Sequence, residues 1–104
     1  MDRVLVSNEG QFAFVTKYGI AVTVQFGINV PKRYNIRGQQ LQPTGCLVTT
    51  GHGMGLGRAD CSPCDVFNVD KGRKLALERA LQYFPEEVRI IAWQAVFDGG
   101  LIRK

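Results

Sequence analysis

The chain has 104 residues, 45% of them hydrophobic and 10% aromatic, which excludes an extended disordered chain. Its 13 lysines and arginines outnumber its 9 aspartates and glutamates, and a formal charge of +4 permits an anionic partner without requiring one. No 18-residue apolar run is present and the start lacks the regions of a signal peptide. We therefore expect one domain over residues 1–104 that works in the cytoplasm and does not contact a membrane.

Residues 1–62 have the pattern of an antiparallel sheet. In the segment IAVTVQF, residues 20–26, every second residue is a large apolar one, which is the period of a strand with one buried face. Short turn signals at 8–10 and 18–19 separate this segment from two earlier strand-like runs, VLVS and QFAFVTK. Strand character returns in CLVTT, residues 46–50, and RADCS, residues 58–62. The sequence predicts a meander of about five strands.

Residues 28–45 interrupt the strand pattern with two prolines, two glycines and several amides, and we expect a long loop there. A loop of this length in a small domain is uncommon unless it binds something or lies on a partner. It carries Lys32, Arg33 and Arg37 around the aromatic ring of Tyr34. A solvated surface loop is the alternative interpretation.

Residues 51–57, GHGMGLG, place a glycine at every second position. Missing side chains on one side of the chain favour either a tight hairpin or a close approach of the backbone to a ligand. The segment is not a phosphate-binding P-loop, because the Gly-Lys-Ser/Thr ending and the following helix are absent from the sequence.

Residues 70–98 predict two helices. In the first, Leu77, Ala80, Leu81 and Phe84 have helical spacing, and Asn68 or Asp70 is placed to cap its start. Pro85 ends this helix and opens a second, whose apolar stripe stops at the glycine pair 99–100. The predicted fold class is α+β: an N-terminal antiparallel sheet followed by a C-terminal helical hairpin.

The cysteines invite a metal interpretation, since a Cys3His set is what a structural zinc site needs. Only one pair of its members has the C-x2-C spacing, and free cysteine often behaves as a small buried hydrophobe. We therefore expect neither a metal nor another cofactor. The zinc set that this interpretation sets aside is Cys46, His52, Cys61 and Cys64.

Arg73 and Lys74 fall in the first turn of the first predicted helix, where free backbone N–H groups and the helix dipole already favour an anion. Cations are slightly unfavourable there for the helix alone, so an anion nearby would explain them. It is either an acidic side chain such as Asp65, Asp70 or Glu78, or an external phosphate. In the alternative interpretation, Arg79 pairs with a surface Asp or Glu and Arg73 covers apolar surface with its stem.

Catalysis has little support in the sequence. There is a single histidine, no serine in a nucleophile-elbow motif and no acidic pair in a recognisable signature. We expect a binding protein and not an enzyme.

The pattern Gly57-x-Ala-x-Cys-x-Pro-x-Asp-x-Phe67, followed by GRKLALxRAL at 72–81, Val88-Arg89 and Trp93, resembles a class of small bacteriophage-encoded proteins. The layout of a sheet followed by helices is similar to the first family of Thoeris anti-defence proteins. That resemblance implies a non-enzymatic sponge for cyclic ADP-ribose isomers or cyclic oligonucleotides. It also implies a dimer or higher homo-oligomer with ligand pockets at subunit boundaries.

Together these features predict a phage protein that sequesters a small anionic nucleotide signal. Basic side chains would hold its phosphates and an aromatic ring would stack its base. A nucleic-acid-binding accessory protein, or an inhibitor that docks on a host protein through residues 31–38, are the alternatives. The predicted ligand-binding residues are Arg58, Arg73, Lys74 and Arg79 for charge, and Phe67 or Tyr34 for stacking.

Overall fold

A computed structural model describes residues 3–6, 11–62, 66 and 68–103. It contains one antiparallel sheet whose strands are neighbours in chain order, followed by two helices, which confirms the α+β class. The strands are β1 (Arg3–Val6), β2 (Phe12–Lys17), β3 (Ile20–Phe26), β4 (Gln42–Thr50) and β5 (Gly53–Cys61). The helices are α1 (Val69–Leu81) and α2 (Glu86–Asp98). Within these ranges no helix is long and apolar enough to cross a bilayer.

Both helices cover the same face of the sheet. Alternate residues of β2 to β5 point to that face, and Val24 pairs across the sheet with Ala13 on one side and Val48 on the other. Helix α1 packs on β4 and β5, whereas α2 packs on β2 and β3. The largest fully buried side chains of the resulting core are Phe26, Leu77, Leu81, Leu101, Ile102, Val22, Val24, Val48, Val96 and Cys46.

Three of the alternating glycines, Gly53, Gly55 and Gly57, lie inside β5, whereas Gly51 lies in the tight hairpin turn between β4 and β5. The turn itself is limited to Gly51 and His52. A Cβ atom on Gly57 would collide with the carbonyl of Ala76 in α1, and one on Gly55 would collide with the carbonyl of Ala80. The predicted close approach of the backbone therefore exists, but the approaching group is helix α1 and not a ligand.

The start of α1 and the end of α2 are each fixed by a local capping motif. The Asn68 side chain accepts the N–H of Lys71 at 2.9 Å, which confirms Asn68 as the cap of α1. Helix α2 ends in a Schellman motif: Gly100, at φ +74°, donates to the Phe97 carbonyl, and Leu101 donates to the Val96 carbonyl at 2.9 Å. This turn sends Leu101 and the next residue back into the core.

The predicted loop 28–45 is shorter than expected, because β4 begins at Gln42. Ile28 and Val30 lie against Gly45 on the sheet face opposite the helices. The next residues form a small hairpin in which Leu41 donates its N–H to the Arg33 carbonyl at 2.9 Å. We refer to residues 32–41 as the basic arm.

Candidate functional site

Arg73 binds the C-terminal tail of the described chain. Its Nη1 donates to the carbonyl oxygen of Leu101 at 2.6 Å, and its guanidinium carbon lies 5.0 Å from the centre of the Phe26 ring. The carbonyl follows directly after the end of α2, where the helix dipole is negative, and the ring adds a cation–π contact. The partner that the sequence left open is therefore, at least in part, a main-chain carbonyl of the same molecule.

Arg58 faces away from the helices and is engaged by a carboxylate. Its Nε and Nη2 donate to the two oxygens of Asp60 at 3.0 and 2.9 Å. The two side chains are only 11% and 15% exposed, so this bidentate pair is largely shielded from water. Arg33 of the basic arm adds a second cation 3.6 Å from Asp60. Arg58 thus holds the Asp60 carboxylate, which in turn contacts Arg33 of the arm.

Arg79 protects the edge of the sheet. Strand β5 is an edge strand, and the Nη1 of Arg79 donates to the carbonyl oxygen of Arg58 at 2.7 Å. An edge carbonyl that has a side-chain donor is less available for pairing with another chain. Arg79 also lines a shallow groove with His52 and Tyr83, at the far end of α1 from Arg73.

The predicted ligand residues do not converge on one pocket. Arg58 and Arg73 lie on opposite faces of the sheet, because Arg58 alternates with the inward-facing Ala59 whereas Arg73 contacts the buried Phe26. Tyr34 lies in the basic arm with 57% of its surface exposed. Phe67 lies outside the described residues. Among the predicted cations, Lys74 is exposed and lines a groove beside the first turns of α1.

The three described members of the zinc set are far apart. Cys46 is fully buried in the core, where desolvation raises the pKa of its thiol to about 12. His52 is exposed at the β4–β5 turn, six positions further along the chain, which is roughly 20 Å of strand. Cys61 pairs with Gln42, four positions from Cys46. Cys64 lies outside the described residues, and those that are described contain no cluster suited to a metal ion.

The groove that Lys74 lines has a volume of about 470 Å³, and we call it the cationic groove. Arg103 reaches it because the N–H of Arg103 donates to the Asp70 carboxylate at 3.2 Å. The sequence pattern predicted Lys74 but not Arg103 as a site residue. Arg103 lies beside α1 only because the Schellman turn and Arg73 direct the segment after α2 back towards α1. The groove is lined by Asn68, Asp70, Lys71, Lys74, Leu75, Glu78 and Arg103.

A second cleft of about 420 Å³ adjoins the cationic groove and shares Asn68, Lys71 and Leu75 with it. Its remaining described wall comes from β4, β5 and the segment before α1, with Thr44, Asp60 and the half-buried Cys61. The exposed side chains of Val66 and Leu75 give this cleft apolar surface. Lys71 therefore lines both the cationic groove and this cleft, in which apolar side chains stand beside polar ones.

These features define a two-layer α+β fold with an open cationic groove at the start of its first helix. Comparisons of the chain with models of protein families, with curated proteins and with solved structures return no match.

Proposed function

We propose that this protein binds a small phosphate-bearing nucleotide and sequesters it without chemical conversion. The observation that carries the proposal is the position of Lys71, between the cationic groove and the adjoining cleft. A nucleotide joins a charged phosphate to a flat base that makes both apolar and hydrogen-bonding contacts. Two adjoining depressions that share Asn68, Lys71 and Leu75 could take these two parts.

The charged end fits the cationic groove. Lys71, Lys74 and Arg103 supply three positive charges against the two carboxylates of Asp70 and Glu78, which leaves the groove at +1. The first turn of α1 adds the partial positive charge of a helix N-terminus. Asp70 already accepts a backbone N–H of the tail, so part of its negative charge is compensated within the molecule.

The base fits the adjoining cleft. Its volume of about 420 Å³ falls in the range of small-molecule sites, which span roughly 300–1,000 Å³. Leu75 offers an apolar contact for the flat ring, while the Thr44 side chain offers hydrogen-bonding capacity at the same cleft. We assign no phosphate to Arg58, Arg73 or Arg79, because each already has an acceptor within the chain.

The biological role that we propose is anti-defence. A phage protein of this kind would lower the concentration of a free cyclic ADP-ribose isomer or cyclic oligonucleotide in the cytoplasm of the bacterial host. Such a sponge needs preorganised charge and surface for a base, and assembly into a homo-oligomer would deepen an open groove into a pocket.

Isothermal titration calorimetry tests the proposal against a panel of cyclic ADP-ribose isomers, cyclic dinucleotides and cyclic trinucleotides. We expect saturable heat from at least one of them and recovery of the ligand unchanged after heat denaturation of the complex. Lys74→Glu should weaken binding at least about tenfold, since it reverses a groove charge. Arg89→Glu is the matched control, because it makes the same change of net charge on the exposed surface of α2. Absence of heat from every member of the panel would contradict the proposal.

A further inference from the structure

The basic arm has a charge distribution unlike that of the rest of the chain. Residues 28–45 contain Lys32, Arg33 and Arg37 and no acidic residue. All three cationic residues are exposed, and the side chain of Arg33 is 63% exposed although it contacts Asp60. A surface of this kind attracts a polyanion and disfavours partners with mixed charge.

The arm is a short hairpin ribbon with a single β-bridge, between Tyr34 and Gln40. Asn35 donates its N–H to the Gln39 carbonyl at 2.9 Å, one step inside the Arg33–Leu41 pair. The Asn35 side-chain oxygen accepts the N–H groups of Arg37 at 3.0 Å and Gln39 at 2.9 Å, which fixes the turn. A ribbon that is already ordered loses less conformational entropy on binding.

The arm is also rooted on the sheet. Ile28 and Val30 pack on Gly45 just before it, and Arg33 contacts Asp60 of the partly buried Arg58–Asp60 pair. At its other end the arm presents Ile36, whose side chain is fully exposed, and Tyr34, which is 57% exposed. An apolar residue held at the tip of a basic ribbon contributes nothing to the described core and is available to a partner.

We propose that the basic arm binds double-stranded DNA, with the ribbon in the major groove and its cations on the flanking phosphates. The major groove admits a two-stranded β-ribbon, and an arm of about three residues a side reaches roughly 10 Å, which is comparable with the depth of about 8.5 Å. Lys32 and Arg37 meet phosphates, and Ile36 meets the apolar methyl groups of thymine. This inference uses residues separate from the cationic groove and is independent of the nucleotide proposal.

Fluorescence anisotropy with a labelled 20-base-pair DNA duplex tests the inference across a series of salt concentrations. Each cation that neutralises a phosphate contributes about 0.9 to the slope of log affinity against log salt. The double variant Lys32→Gln with Arg37→Gln should therefore lower that slope by about 2 and weaken binding more than tenfold at 0.1 M salt. Arg89→Gln removes a single exposed cation outside the arm and should leave the slope unchanged.

Two further measurements separate the duplex from other partners. Ile36→Ser should weaken DNA binding severalfold without changing the salt slope, because the contact that it removes is apolar. An RNA duplex of the same sequence should bind more weakly, since its major groove is too narrow for the ribbon. Equal or tighter binding of the RNA, an unchanged slope in the double variant, or binding to an acidic protein in place of DNA would overturn the inference. None of these results bears on nucleotide binding in the cationic groove.

Discussion

The guanidinium of Arg73, in the second turn of α1, donates to the carbonyl oxygen of Leu101, which lies 28 residues further along the chain. This bond fastens the tail that follows α2 against the first helix, and Asp70 fastens it again through the N–H of Arg103. The tail in turn brings Arg103 to the cationic groove. Arg73, which the sequence predicted to bind the ligand, therefore positions one wall of the proposed site instead.

Replacing Arg73 by methionine should destabilise the protein and weaken ligand binding together. Methionine keeps an unbranched stem but loses the bond to Leu101 and the cation over Phe26. We expect the free energy of unfolding to fall by about 2–3 kcal/mol in urea denaturation. Lys74→Met is the control within the same turn, and it should weaken the nucleotide while leaving stability nearly unchanged. Equal stability of the Arg73→Met protein would contradict the assigned role.

Replacing Gly57 by alanine should be among the most damaging single-methyl changes in the chain. The added Cβ meets the carbonyl of Ala76, which is held in the helix and has no free direction in which to move. We expect the free energy of unfolding to fall by about 3 kcal/mol or more, which appears as a lower midpoint of thermal unfolding. Gly51→Ala is the matched control, because nothing lies within 4 Å of a Cβ at that turn position. A Gly57→Ala protein as stable as Gly51→Ala would show that α1 does not pack on β5 in this way.

The periodicity of the sequence predicted much of the fold. The contacts that it did not predict share one cause. The period of two predicted β3, and the spacing of Leu77, Leu81 and their neighbours predicted α1. For the glycines of residues 51–57 the sequence predicted either a tight hairpin or a close approach to a ligand, because it cannot say which element approaches the missing side chains. The same holds for Arg73, since its partner lies in another element and is reached only after the Schellman turn. Local pattern predicts elements, whereas these contacts depend on how the elements pack.

Asn68→Ala should remove the side-chain cap of α1. The Asn68 side-chain oxygen accepts the N–H of Lys71, and alanine leaves that N–H without its acceptor. We expect Asn68→Ala to lower the free energy of unfolding by about 1 kcal/mol. Asn68→Asp should keep most of the stability of the natural chain, because aspartate accepts the same hydrogen bond. Chemical denaturation of the three proteins side by side measures both effects. A loss of the same size in Asn68→Asp would contradict a capping role.

Cys46 should make the protein less stable in alkaline solution. Burial raises the pKa of its thiol from 9.0 to about 12, so the unfolded chain ionises first as the pH rises. The contribution of the protonated Cys46 thiol to the free energy of unfolding is complete below pH 9. It is lost between about pH 9 and pH 12, at up to about 1.4 kcal/mol per pH unit. Cys46→Ala should show a shallower alkaline decline in urea denaturation, although its starting stability is lower. Identical slopes in the two proteins would contradict burial of the thiol.

The most direct test of the proposed function is calorimetric titration of the cyclic nucleotide panel into four proteins: the natural chain, Lys71→Glu, Lys74→Glu and Arg89→Glu. We predict saturable binding to the natural chain and to Arg89→Glu, with losses of at least about tenfold in the two groove variants. Binding that all four proteins share equally, or that none of them shows, would contradict a nucleotide site at the start of α1.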